Sequence, residues 1–269
     1  MIAVRKGGQG GPRLVFVHGG SGSWRMGAEL LFMLSPHVRW WAVDLPGHGD
    51  SPPGRYDVEG VAAVLAEWAR AELDGPAWWY GHSYGGQVAL ATAAACREAF
   101  AGLVIGDAPL SAQAMYRLVE QSSERLRRWR DWCGRPESEL LGLLGAESAG
   151  ERTYAELFGL DHPYLTGMAY SLHRHDPAFL DALLDDREGV YGCLDRSGDW
   201  LEAVPGPVSL LRGDPAVLAL SSERDAMLVR EHGGTVRTVD GVGHSLHQTA
   251  PAVIADILMS FIHQAVPKP

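Results

Sequence analysis

Five residues, Gly81-His82-Ser83-Tyr84-Gly85, constrain what this chain can fold into more than any other stretch. The run before them, Pro76 to Tyr80, is short, apolar and aromatic, as a buried strand is. The run after them, Gly86 to Ala95, is rich in alanine and leucine and reads as a packed helix. A serine between the two sits on a sharp strand-to-helix turn in a strained backbone conformation. Glycines two residues to either side leave room for strand and helix to approach closely. Its hydroxyl then stands at a helix N-terminus, where backbone N–H groups can stabilise an oxyanion. This context marks Ser83 as a candidate nucleophile.

The rest of the first half repeats the same alternation. Strand patterns at 13–17, 38–43 and 103–106 are interleaved with helical patterns near 26–35 and over 58–73. Such alternation implies an α/β fold, a mostly parallel central sheet flanked by helices, with functional groups at the strand C-terminal ends. The pattern changes over 111–200, where helical spacing dominates, and returns with strands at 208–211 and 235–239 and helices at 221–231 and 251–264. The expected organisation is a core of 1–110 and 201–269 with a helical cap or lid, 111–200, inserted over the strand ends. Only about a dozen residues precede the first central strand, enough for one leading strand near Ile2-Ala3-Val4 and a reduced N-terminal edge.

Charge excludes one class of partner. With 23 basic against 33 acidic residues the net charge is -10, so no nucleic-acid footprint is expected. Three scattered cysteines without metal-ligand spacing argue for free thiols and a cytoplasmic setting. No segment reads as a membrane span or a signal peptide. No cofactor or metal is implied, and the oligomeric state is left open.

A serine needs a base, and the base needs an acid to orient it. Of 11 histidines, His244 in Gly241-Val242-Gly243-His244-Ser245 stands on a flexible loop after a strand, with His247 as fallback. Two aspartates follow strand ends: Asp214 after 208–211 and Asp107 after 103–106. Asp214 is preferred, because its strand should lie beside the one that presents His244. The Gly-rich run His18-Gly19-Gly20-Ser21-Gly22-Ser23 lacks a following Gly-Lys-Ser/Thr, so it is no phosphate loop. It is suited instead to turn a backbone N–H of Gly20, or of Ser21, toward the oxyanion site beside that of Tyr84.

These motifs together resemble the α/β-hydrolase fold family. The resemblance rests on His18-Gly19-Gly20, the segment Asp44 to Ser51, the Gly81–Gly85 turn and Gly243-His244, in that order along nearly the whole chain. It implies a triad of Ser83, His244 and Asp214, oxyanion donors at Gly20 and Tyr84, and a cap that sets substrate choice. The family's usual acid position, three residues past Gly213, holds Ala216 here, which keeps Asp107 as the alternative acid. A serine at the turn, where epoxide hydrolases and haloalkane dehalogenases use a carboxylate, points away from those enzymes.

The expectation is a cofactor-free, carboxylesterase-like serine hydrolase of a small, apolar carboxylic ester, lactone or thioester. The same residues could instead serve a C–C bond hydrolase or a lyase. A reading of another class is a non-catalytic small-molecule receptor on the same fold.

Overall fold

A computed structural model describes residues 1–265. In chain order the first half contains β1 (Val4–Gly7), β2 (Arg13–Val17), a 3-10 turn (Trp24–Gly27), α1 (Ala28–Leu34), β3 (Arg39–Val43), α2 (Val58–Glu72), β4 (Ala77–His82), α3 (Tyr84–Ala95) and β5 (Phe100–Gly106). A helical stretch follows: α4 (Ala112–Trp132), α5 (Glu137–Gly145), a two-strand hairpin β6/β7 (Ser148–Ala149, Arg152–Thr153), α6 (Tyr154–Phe158), α7 (Pro163–His173), α8 (Pro177–Asp185), α9 (Arg187–Tyr191) and α10 (Ser197–Ala203). The core resumes with β8 (Val208–Gly213), α11 (Glu223–Glu231), β9 (Thr235–Val239), α12 (Leu246–Thr249) and α13 (Pro251–Ala265).

The main sheet has seven strands in the order β1-β3-β2-β4-β5-β8-β9. All neighbours are parallel except β1, which runs antiparallel to β3 at the edge. The single leading strand is thus Val4–Gly7, and the sheet is an α/β one flanked by helices.

The apolar runs of the central strands make sense once both faces are covered. Side chains alternate along a strand, so Leu14, Phe16, Trp78, Tyr80, Val104 and Leu211 pack on one face with residues of α1 and α13. Val15, Val17, Trp79, Leu103, Ile105 and Leu210 pack on the other with α2 and α3. That second cluster also takes in Met115 and Val119 of α4, Phe179 and Leu180 of α8, and Trp200 and Leu201 of α10. Half of the helical stretch is therefore continuous with the sheet's core, and residue 200 falls inside α10. A separate cluster of Leu140, Leu144, Leu165, Met168 and Leu172 joins α5 to α7 and reaches Met26 of the core.

At the turn after β4 the chain permits no side chain on either glycine. A Cβ on Gly81 would lie 2.3 Å from the Gly85 carbonyl oxygen, and one on Gly85 would lie 2.2 Å from that of His18. Both contacts are with backbone, which cannot rotate away. Gly81→Ala should therefore destabilise the fold by about 1–3 kcal/mol, the usual range for overpacking, and lower Tm by several degrees. A thermal melt followed by circular dichroism checks this, and an unchanged Tm would contradict it.

Candidate active site

Ser83 adopts φ 54 and ψ -126, a region that an L-residue enters only when its surroundings force it. The forcing contacts are local. Ser83 N–H donates to the Gly106 carbonyl at 2.8 Å, and its own carbonyl accepts from Gly86 N–H at 2.8 Å as α3 begins. The serine thereby stands at the junction of β4 and α3, half-buried among residues that are fully buried.

Across the sheet edge, His244 Nδ1–H donates to Asp107 Oδ2 at 2.8 Å. The structure therefore brings Asp107, and not Asp214, to the histidine. Asp107 lies one residue past β5 at φ 43, fully buried. Its carboxylate also accepts backbone N–H groups from Gly213, Leu220 and Ser221 at 3.1, 2.8 and 3.1 Å. Burial pushes its pKa up, but the hydrogen bond and charge of His244, with the N–H groups of Leu220 and Gly213, outweigh it and hold the carboxyl below its ordinary value.

Asp214 does other work. Its carboxylate caps the turn that follows, accepting Ala216 N–H at 2.9 Å, and ties the loop to Gly241 N–H at 2.8 Å. Pro215 at the next position starts that 3-10 turn and commits Asp214 to capping it. The two aspartates follow adjacent strands, so position along the chain could not separate them; the direction of the side chain past the strand end does. His247 is not at the site either. It is buried beneath the sheet, its Nδ1 3.1 Å from the Tyr80 hydroxyl and its ring edge-on to Phe16.

The Gly-rich loop after β2 is pinned from behind by two histidines. Leu45 N–H donates to His18 Nε2 at 3.0 Å, so the proton of that ring is on Nδ1, which donates to the Gly19 carbonyl at 2.8 Å. Gly22 N–H donates to the same carbonyl at 2.9 Å. In a trans peptide the N–H points opposite to the carbonyl, so this double anchor aims Gly20 N–H away from His18. The His48 ring is wedged between two carbonyls, its Nε2 2.8 Å from that of Gly20 and its Nδ1 2.8 Å from that of Pro46. Among the described residues neither Gly20 N–H nor Tyr84 N–H donates to any other group. A Cβ on Gly20 would sit 3.1 Å from the Phe179 ring and 3.4 Å from Tyr84 Cβ. Helix α8 thus packs directly on this loop.

Sequence reasoning passed over His82. Its ring is 4.7 Å from that of His244, and its Nε2–H donates to the His244 carbonyl at 2.8 Å. The residue before the serine therefore holds the backbone of His244, and adjacency to Ser83 was the signal available. Burial, followed by the nearby His244, pulls the His82 pKa down to about 3. Helix α7 packs against α12, the helix that follows His244. Among the described residues no group of three His, Cys, Asp or Glu is disposed to hold a metal ion, and no helix is long and apolar enough to cross a membrane.

Burial also lowers the pKa of His18, His48, His175 and His247. A histidine kept neutral in the fold gives stability that is full above its unfolded pKa, about 6.5, and is lost as pH falls below it. The loss approaches about 1.4 kcal/mol per pH unit for each such group. Asp44 opposes it: burial raises its pKa to about 6, so the fold gains stability as pH falls from there toward about 4. Five imidazoles against one carboxyl predict a Tm that drops steeply between pH 7 and pH 5. His175 has no hydrogen-bond partner on either nitrogen, so His175→Phe should flatten that drop. A Tm that is level across the range in the wild-type protein would refute the account.

A family model described as "Alpha/beta hydrolase family" matches residues 14–257. A 2-succinyl-6-hydroxy-2,4-cyclohexadiene-1-carboxylate synthase of Yersinia enterocolitica is 25% identical over 260 residues, 95% of this chain and 88% of that protein. The enzyme of the same name from Escherichia coli is 32% identical over 155 residues, and that match spans only 57% of this chain and 60% of the relative's length. Among solved structures, an enol-lactonase from Burkholderia xenovorans LB400 superposes with a TM-score of 0.72 at 16% identity, over 97% of this chain and 96% of that one.

Proposed function

The chain belongs to the alpha/beta hydrolase family, and within it we propose a serine hydrolase that cleaves a small neutral carboxylic ester, lactone or thioester through an acyl-enzyme on Ser83. The observation that carries this reading is the Asp107–His244 hydrogen bond, tied through His82 to the strained turn that holds Ser83. In the proposed reaction His244 takes the Ser83 proton as the oxygen attacks the substrate carbonyl carbon. Asp107 keeps the Nδ1–H tautomer and stabilises the imidazolium that forms. The N–H groups of Gly20 and Tyr84 receive the negative charge on the carbonyl oxygen, each worth about 3 kcal/mol in comparable sites. His244 then returns its proton to the departing alcohol or thiol. Water attacks the acyl-enzyme by the same route in reverse and frees the acid.

The names of the relatives favour a second reading, a lyase-type step on the same residues. Those names carry a carboxylate. The buried Arg212, the cation a carboxylate could otherwise use, is occupied by Glu223 at 2.6 Å and the Ser221 carbonyl. That balance supports the neutral substrate. A panel of acyl esters and lactones, assayed beside a test for formation of the cyclohexadiene carboxylate that the relatives' names give as their product, separates the two.

A fluorophosphonate probe should label the wild-type protein and leave Ser83→Ala unlabelled. Asp107→Asn should lower kcat by about three to four orders of magnitude, as loss of the orienting acid does elsewhere. Asp214→Asn should stay within a few-fold of wild type. Equal losses in the two aspartate variants would overturn the assignment of the acid.

A further inference from the structure

Asp107 stands in left-handed backbone geometry at φ 43, so contacts beyond its own preference must hold the segment that follows it. Three long-range bonds do so. Asp107 N–H donates to the Leu211 carbonyl at 2.7 Å, and Gln87 Nε2–H donates to the Pro109 carbonyl at 2.7 Å. The third bond crosses to α11, where Leu110 N–H donates to Asp225 Oδ1 at 2.7 Å.

Asp225 also closes a capping box at the start of α11. Its Oδ2 accepts Ser222 N–H at 2.7 Å and the Ser222 hydroxyl at 2.6 Å, and Asp225 N–H donates back to that hydroxyl. Capping does not require burial. A second capping box, Thr153 with Glu156 at the start of α6, keeps its carboxylate exposed. Asp225 is only 2% exposed, and a buried carboxylate is costly unless donors meet its oxygens. One oxygen serves the cap, and the other serves Leu110.

The two buried aspartates are reciprocal. The segment after β5 gives the Asp107 carboxylate to the N–H groups of Leu220 and Ser221, just before α11. In return α11 gives the Asp225 carboxylate to Leu110 N–H, three residues past Asp107. The same two segments are thus tied at both ends.

We infer that Asp225 is a positioning residue for the Asp107–His244 pair, holding the strained segment so that Asp107 meets His244 Nδ1. The inference rests on the hydrolase reading above. Without the tie Leu110 N–H loses its acceptor, the segment relaxes, and the Asp107 carboxylate shifts from His244. Asp225 acts on the base through Asp107 and not on the substrate, so the loss falls on kcat and leaves KM unchanged.

The test is a double-mutant cycle in the full chain, using whichever ester of the panel above turns over fastest. Rates are taken per folded molecule, with the folded fraction read by circular dichroism. Asp225→Ala should lower kcat about ten- to a hundredfold, the cost of a misplaced group. On the Asp107→Asn background the same change should cost less than about threefold, because the group it positions is already lost. Asp225→Asn keeps an oxygen for Leu110 N–H but no charge, and should recover most of the kcat. Ser222→Ala removes the cap hydroxyl while leaving the Leu110 bond, so it should lower Tm and leave kcat unchanged. Should the alanine variant not fold, Asp225→Ser, whose hydroxyl falls one bond short of the carboxylate oxygens, completes the cycle. Equal losses on the two backgrounds overturn the inference. So does an asparagine variant as slow as alanine, which assigns the effect to charge, or an Asp107→Asn variant as fast as wild type. Each of these, with ester turnover and Ser83 labelling intact in the wild type, leaves the hydrolase reading standing. A wild type that neither turns over esters nor is labelled overturns both.

Discussion

The Asp107 carboxylate is the constraint on which the rest of this site depends. A buried charge is tolerated only when its lone pairs are met by donors, and here three backbone N–H groups and one imidazole N–H meet them. Those donors come from the end of β8, from the loop beyond it and from the loop after β9. One side chain one residue past β5 therefore fixes the relative positions of three separate segments. His244 is held at three points: Nδ1 by Asp107, the backbone N–H by Leu218, and the carbonyl by His82. Its remaining freedom is small, which suits the role of general base proposed for it.

Histidine does much of the structural work around this site. His18 and His48 hold the carbonyls of Gly19 and Gly20 and so aim the loop's N–H groups. His175 and Phe179 from the helical stretch pack edge-on against His48 at 4.4 and 4.7 Å. The helical stretch thereby packs on the Gly-rich loop through aromatic rings, and its Asp176 N–H reaches the Gly47 carbonyl at 2.8 Å. The same rings are buried where protonation is costly, which links the integrity of the site to pH.

Much of this was legible in the chain. The turn at Ser83 could be read because its requirements are local: a strand, two glycines, a helix. Gly20 and Tyr84 could be put forward as candidate donors because each is adjacent in sequence to the element that orients it. His244 could be put forward as the candidate base because a glycine loop after a strand is a local pattern. The helical stretch was visible from its periodicity, but its division between the sheet's own core and the α5–α7 cluster was not, since that depends on which helices meet. His82, His48 and Phe179 left no sequence signal beyond their neighbours, because each acts on a residue far away along the chain.

By itself the sequence determined the order of elements, the parallel sheet and the strand-to-helix turn at Ser83, because hydrophobic period, glycine placement and short-range spacing carry those. Tertiary structure alone decided which aspartate meets the histidine. Asp107 and Asp214 both follow adjacent parallel strands and are equivalent by spacing. The left-handed backbone at Asp107 turns its carboxylate inward under the next loop, while Pro215 commits Asp214 to a cap. Three long-range backbone donors then make the inward position the one where a buried charge is satisfied, and no spacing rule along the chain encodes their convergence.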